Sequence, residues 1–392
     1  MAAEPVKTEL PAGRSVHLCL IAGEHSGDAL GGPLMAALRG RSDLAWTFSG
    51  VGGELMEAQG LTSRFPLSEI AIMGPLAILS RLPKLLRRVR EAADTVIAAR
   101  PAGLVIIDSP EFTHAVARRV RRRLPDLPII DYVSPSVWAW RQGRARRMRA
   151  YVDHVLAILP FEPAAHERLG GPPCSYVGHP LVERLDEFAP DEAARAGRPP
   201  KLLVLPGSRV TEVRRLMRPF GETLRLLQES VGAFEAIVPA PDNVRSLVEE
   251  LAAGWPIMPR IVSGQAAKMR AFREARAALA ASGTVSLELA LARVPMVIGY
   301  RIDLLAAAMR FLLKAHSVVL PNLIIGRNAV PEFIQERCTP QHLANALAPL
   351  LAEGPARAAQ LQAFDEVVER MTENVGSPSE RAAAIVLQTI GL

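Results

Sequence analysis

Cysteine is scarce in this sequence: three residues in 392, Cys19, Cys174 and Cys338, lie far apart with no CxxC among them. A disulfide framework needs more, so a reducing compartment is expected. Aromatic residues make up 5% of the chain, which speaks against base-stacking platforms and aromatic sugar clamps. No apolar run reaches the roughly 20 residues of a membrane span. Val16–Ala22 is too short for the apolar core of a leader, and Glu4 and Glu9 precede it, so no signal peptide is expected. GxGxxG, the P-loop pattern, HExxH, any Cys/His ladder and GxSxG are also missing. These gaps count against nicotinamide-dependent oxidoreduction, structural or catalytic metal sites and the α/β-hydrolase elbow. No metal and no cofactor is expected.

What the chain has in quantity is arginine. Lys and Arg number 46 against 40 Asp and Glu, a net charge of +6. One cluster comprises Arg118, Arg119, Arg121, Arg122 and Arg123, and a second Arg141, Arg144, Arg146, Arg147 and Arg149. Such clusters suit phosphorylated substrates, anionic membrane or nucleic acid, and equally the solvated helix faces of an arginine-heavy protein. With few aromatics and no recognition motif, no nucleic-acid partner is expected.

Apolar content of 49% and charge of 22% fit a globular chain long enough for two domains. Short β-branched and leucine-rich runs alternate with helical patterns, the signature of parallel α/β layers. In the first half the predicted strands are Val16–Ala22, Trp46–Ser49, Leu104–Ile107, Pro128–Tyr132 and His154–Leu159, with a short one before His179. Predicted strands of the second half are Leu202–Leu205, Ala236–Pro239, Arg260–Val262, Ala277–Ala281 and Met296–Tyr300. Between the halves, Asp186–Pro200 shifts to Asp, Glu, Ala, Gly and Pro and reads as a linker. We therefore expect two doubly wound, Rossmann-like parallel-sheet domains, 1–186 and 200–356. The Ala-rich helical stretch 357–392 is expected to fold back on the first.

Three strand–glycine–helix junctions stand out: Gly23-Glu24-His25-Ser26-Gly27-Asp28, Pro206-Gly207-Ser208-Arg209 and Ser282-Gly283-Thr284. Glycine permits the tight turn, and free amides at a helix start attract an anion. Arg209 adds a charge-assisted contact suited to a diphosphate, and Glu288, a turn into its helix, suits ribose hydroxyls. Ordinary turn chemistry explains any one such junction; two in one domain point to a nucleotide diphosphate.

Asp108 follows the buried run Leu104–Ile107, at the strand end where active sites form in parallel sheets. It is a candidate general base, or a helix cap or arginine partner. Glu111 falls in the first turn of the next helix, where its charge suits the dipole. His25 lies in the first glycine loop, whereas His179 reads as structural. The run Ile70–Leu79, interrupted by Gly74-Pro75 and followed by Arg81, Lys84, Arg87 and Arg88, reads as a lipid-contacting segment, with Ile72, Met73, Leu76 and Leu79 as its contacts. A second apolar run, Leu304–Leu313, reads as a core helix.

Several segments in order carry a resemblance: AGEHSGD (22–28), GVGGELMEAQG (50–60), MGPLAIL (73–79), IDSPEF (107–112), YVSPSVWAWRQGR (132–144), LPFE (159–162) and YVGHPL (176–181). LPGSR (205–209), ASGTVSLELAL (281–291), MVIGYR (296–301) and LPNLIIGR (320–327) follow. Together they resemble the lipid-A-disaccharide synthases, bacterial inverting glycosyltransferases. The resemblance implies a GT-B-type fold and a metal-independent reaction between UDP-2,3-diacylglucosamine and 2,3-diacylglucosamine 1-phosphate. It implies that Asp108 is the base and that Arg209 stabilises the leaving UDP. Ser26 would face the acceptor; Gly207, Ser208, Ser282, Gly283, Thr284, Glu288, Asn322 and Arg327 would bind substrate. The family stretch reads Asp-x-Pro-Asp-Phe-Asn where this chain has Asp108-Ser109-Pro110-Glu111-Phe112-Thr113, which leaves the base open between Asp108 and Glu111. The implied setting is cytoplasmic, peripheral on the cytoplasmic face of a Gram-negative inner membrane, and a homodimer is compatible with it. A related GT-B enzyme, an epimerase or another glycolipid glycosyltransferase, is the alternative.

Overall fold

A computed structural model describes residues 15–41, 44–70, 75–301, 315–373 and 376–392, with the backbone alone for 75–81. Ile72, Met73 and the run Leu304–Leu313 lie outside the described residues; Leu76 and Leu79 fall in a helix whose side chains there are not described. The chain divides into two compact units, residues 1–180 with 374–392, and residues 181–373.

The first unit is a parallel sheet of seven strands: β1 (Ser15–Ala22), β2 (Ala45–Val51), β3 (Thr62–Ser63), β4 (Gly103–Ile107), β5 (Ile129–Tyr132), β6 (His154–Ala157) and β7 (Cys174–Tyr176). Their order is β3-β2-β1-β4-β5-β6-β7. Strand β4 is buried at every residue, because crossover helices cover both faces of such a sheet and leave no polar side to alternate with. The connecting helices are α1 (His25–Arg41), α2 (Glu54–Ala58), α3 (Pro75–Ala99), α4 (Pro110–Arg121), α5 (Gly143–Met148) and α6 (Glu162–Arg168). Pro110 stands at the start of α4, where a missing amide costs nothing.

The second unit repeats the plan with β8 (Lys201–Leu205), β9 (Glu235–Pro239), β10 (Arg260–Val262), β11 (Ala277–Ala280), β12 (Met296–Tyr300) and β13 (Glu332–Ile334), ordered β10-β9-β8-β11-β12-β13 and all parallel. Its helices are α7 (Glu192–Ala196), α8 (Val210–Val231), α9 (Asp242–Ala252), α10 (Gln265–Glu274), α11 (Val285–Leu291), α12 (Leu320–Ile325), α13 (Pro340–Leu351) and α14 (Pro355–Thr372). Along α8 the stripe Val213, Leu216, Met217, Phe220 and Leu224 is fully buried, as its one-face spacing predicts. The strands without a predicted counterpart, β3 and β13, are edge strands of two and three residues with no buried position, too short for an apolar run to announce them.

Two expectations about the connections are corrected. The stretch 186–200 is not a free linker. Arg195, in α7, is buried and donates to the carbonyls of Phe272, Arg273, Ala292 and Arg293 at 2.6–3.1 Å. These carbonyls close the ends of α10 and α11, so one guanidinium caps two helices. The tail 357–392 also divides. In α14, Gln360 bonds both the amide and the carbonyl of Met296 in β12, at 2.9 and 3.1 Å, and Arg357 bonds Arg276 O, so α14 belongs to the second unit. Only α15 (Pro378–Thr389) joins the first, burying Ala382, Ala383 and Val386 in its core.

Candidate active site

In both sheets the order of strand addition reverses once, between β1 and β4 and between β8 and β11. The loops after those strands carry most of the predicted site residues, as expected at a topological switch point.

In the first unit the two loops touch. Gly23 N donates to Ile107 O at 3.1 Å, and a Cβ on Gly23 would stand 2.2 Å from Ser109 Cβ, an approach open to glycine alone. Ser26 Oγ then donates to Asp108 Oδ2 at 2.6 Å. Asp108 N donates to Tyr132 O at 3.0 Å, and Thr113 Oγ1 donates to Asp108 O at 2.7 Å. The result is a half-buried carboxylate, fixed by its backbone, with Oδ2 held by the Ser26 hydroxyl and Oδ1 accepting from Ser109 N at 2.7 Å. Glu111 is placed differently. It is exposed and paired with Arg144 at 2.5 Å and Arg141 at 3.4 Å. Partial burial opposes its ionisation, but Arg144 and Arg141 outweigh it and hold the carboxyl below its ordinary range. A carboxylate so held is a weaker proton acceptor than a free one.

In the second unit the loops after β8 and β11 line a cavity of about 540 Å3 with Gly207, Ser208, Arg209, Ser282, Gly283, Thr284 and Glu288 on its wall. Gly207 has φ 109°, and a Cβ there would stand 2.5 Å from Glu212 Oε2. That close approach is the key to the loop. Glu212 Oε2 accepts from Ser208 N at 3.2 Å and Arg209 N at 3.3 Å; Oε1 accepts from Arg209 Nη1 at 2.9 Å and Tyr300 Oη at 3.1 Å. The amides at the start of α8 are thus taken by the chain's own carboxylate rather than left for an anion. Among the described residues the amides of Gly283, Thr284 and Val285 have no such partner. Lys268 Nζ bonds both oxygens of Glu288 at 2.7 and 2.8 Å, and with Arg209 it supplies the cavity's positive charge.

Two predicted residues are not brought to this cavity. Asn322 is fully buried; its amide donates to Ser317 Oγ and Val330 O, and its carbonyl accepts from Ala329 N and Val330 N. All four hydrogen-bonding positions of the side chain are used, so here it ties the loop before β13. Arg327 is exposed and paired with Glu366 of α14. Of the histidines, His25 is exposed, and burial pushes His179 down to about 4, keeping it neutral. Among the described residues no three His, Cys, Asp or Glu gather to hold a metal, and no helix is long and apolar enough to cross a membrane.

The family model described as lipid-A-disaccharide synthetase matches residues 18–386. The chain belongs to the lipid-A-disaccharide synthase family. A member from Nitrobacter hamburgensis is 55% identical over 384 residues, 97% of either chain. Among solved structures, the chain is similar to UDP-GlcNAc 2-epimerase from Neisseria meningitidis bound to UDP-GlcNAc, with TM-score 0.57, 12% identity, and 95% and 99% of the two chains covered. It is also similar to the calicheamicin glycosyltransferase CalG4, with TM-score 0.54, 16% identity, and 96% and 99% covered. Identities this low speak for fold alone, which is GT-B. Membership in the lipid-A-disaccharide synthase family makes the chain a hexosyltransferase.

Three polar residues of this lipid-A-disaccharide synthase relative escaped sequence reasoning. Glu212 stands three residues after Arg209, the capping-box spacing, and was legible. Lys268 meets Glu288 across twenty residues and left no local signal. Asp28 is buried at the end of the first glycine loop. It accepts from Gly53 N, Leu55 N and Met56 N at 2.8–3.1 Å, so it caps α2 rather than facing a substrate.

Proposed function

We propose that this chain transfers 2,3-diacylglucosamine from its UDP carrier to 2,3-diacylglucosamine 1-phosphate. The products are the β-1,6-linked disaccharide 1-phosphate and UDP. Asp108 takes the proton of the acceptor's 6-hydroxyl as that oxygen attacks the anomeric carbon. The bond from that carbon to UDP breaks as the new one forms, and the in-line displacement inverts the centre. The electron pair leaves on the diphosphate, whose growing charge is met by Arg209, Lys268 and the amides of Gly283–Val285. Glu288, oriented by Lys268, receives the ribose hydroxyls.

The observation that carries the assignment is the bond from Ser26 to Asp108 at the first switch point, set against the double arginine pairing of Glu111. It favours Asp108 as the base. The epimerase alternative rests on shared fold only. Incubating purified protein with both substrates tests the reading, with UDP release and product mass followed over time. Acceptor-dependent UDP release that survives a chelator, with a disaccharide 1-phosphate formed, is the expected result. Measurable UDP binding without product would overturn the acceptor assignment.

The enzyme is further proposed to work peripherally on the inner membrane, docking through the segment that includes Ile72, Met73, Leu76 and Leu79 with the cations that follow it. Serine at Ile72, Met73 and Leu76 is expected to release protein from membrane fractions. Undiminished sedimentation with membranes would remove the segment from that role.

A further inference from the structure

Four arginines of the first unit surround one cavity that the proposed reaction leaves unused. Arg118 on α4, Arg141 just before α5, and Arg144 and Arg147 within α5 line a space of about 370 Å3 together with Tyr151. Glu111 answers Arg141 and Arg144. Among the described residues no carboxylate pairs with Arg118 or Arg147. Arg118 lies over the Tyr151 ring, 5.4 Å from its centroid, and Arg147 Nε donates only to Gly143 O at 3.2 Å.

The back of the cavity is buried and hydrogen-bonded. Tyr151 is buried, its hydroxyl lies 3.1 Å from His114 Nδ1, and His114 Nε2 lies 3.0 Å from the buried Asp131 Oδ2. Asp131 faces His114 and sits behind the tyrosine. Even counting it, four guanidinium groups face two carboxylates. Like charges held together repel, so this arrangement gains free energy when an anion enters.

We propose that the cavity is a phosphomonoester site and that it holds the anomeric phosphate of the acceptor sugar. The proposal rests on the transfer reading above and deepens it. Phosphomonoesters carry close to two negative charges and present several oxygens, which the forked donors of Arg118 and Arg147 match. Position supports the acceptor as the source. Glu111, which Arg141 and Arg144 grip, is three residues beyond Asp108 and falls in the first turn of α4, the helix that the Asp108 loop enters. A phosphate held beside Arg144 and an acceptor hydroxyl at Asp108 therefore belong to one loop–helix junction, as the two ends of one small sugar require. An anionic lipid headgroup shares the phosphate chemistry, and the test separates the two.

Glucosamine 1-phosphate is titrated calorimetrically into full-length wild type, Arg118→Ala and Arg147→Ala, with the thermal unfolding of the first unit as the control for folding. Each substitution is expected to weaken sugar-phosphate binding about 10-fold, equivalent to ~1.4 kcal/mol, and to leave UDP affinity unchanged. Glucosamine without phosphate is expected not to compete. With the acylated acceptor, KM should rise by a similar factor in each variant. Equal affinity in wild type and variants, or no binding by wild type at millimolar sugar phosphate, overturns the proposal. So does a loss of binding to phosphatidylglycerol vesicles with sugar-phosphate affinity intact, which assigns the cavity to a headgroup. If wild type binds the sugar phosphate through these arginines yet forms no disaccharide, the site stands and the transfer reading falls.

Discussion

Asp108 and Ser109 both adopt left-handed backbone, with φ of 57° and 44°, a conformation costing side-chain-bearing residues on the order of 1–3 kcal/mol each. The bonds from Asp108 N to Tyr132 O and from Thr113 Oγ1 to Asp108 O hold it in place. Asparagine tolerates that backbone region, so Asp108→Asn should fold normally while lacking a proton acceptor. We expect its kcat to fall by roughly 10²–10⁴-fold with UDP affinity kept; turnover within a few-fold of wild type would move the base to Glu111. Glu162 offers a second test at the same scale. Burial pushes its carboxyl up to about 8, although Leu159 N at 3.1 Å and Trp138 Nε1 at 3.2 Å donate to it. The folded chain therefore keeps a proton that the unfolded chain releases above its ordinary value of 4.5. Stability from this residue falls as pH rises from that value towards 8, by up to about 1.4 kcal/mol per pH unit. His179, lowered to about 4, works the other way only below its ordinary 6.5. His154 and His166, also pushed down by burial, act like His179, so between pH 6.5 and 8 the loss due to Glu162 is what remains, and Glu162→Gln should flatten it in urea melts. An unchanged slope in that window would show that Glu162 is ionised in the folded chain.

At the scale of the element, the interior strands were readable because both faces are covered: Leu104–Ile107 and Ala277–Ala280 are apolar without interruption. The ends of the helices were not. Asp186–Pro200 has a linker's composition, and what fastens it is Arg195 meeting carbonyls 77 to 98 residues away. No local window contains that pairing. The same holds for Lys268 with Glu288, and for Asp28 capping α2 from across the loop. Legible instead were the glycine turns, the stripe of α8 and the placing of Asp108 at a strand end, since each is written in neighbouring residues. If Arg195 is the clasp, Arg195→Ala leaves the terminal carbonyls of α10 and α11 without their donor and should cost about 3 kcal/mol. Arg195→Lys should recover less than half, because three ammonium protons cannot serve four carbonyls in two rows. The urea midpoint reads this directly; a shift below about 0.5 kcal/mol would return the segment to a passive linker.

At the scale of the whole molecule, the chain leaves the first unit at Pro180, builds the second, and returns through α15. That return makes α15 part of the first core: Ala382, Ala383 and Val386 are fully buried among residues of β1, β4 and α1. Ile390 closes on Gly103 at the start of β4, where a Cβ would stand 2.7 Å from it. Removing residues 377–392 exposes this surface and should destabilise the first unit by on the order of 5 kcal/mol. The second unit holds its own tail helix, α14, through Gln360 and Arg357, and should be indifferent to the deletion. Its cavity carries the proposed UDP site, so UDP at about 100 times its Kd should add ~2.7 kcal/mol to that unit. Calorimetry of full-length and shortened chains, each with and without UDP, therefore should show two transitions with separate responses. The deletion should lower one and UDP should raise the other. A single transition moved by both would mean that the units unfold together, and that α15 stabilises the whole chain rather than the sheet it packs on.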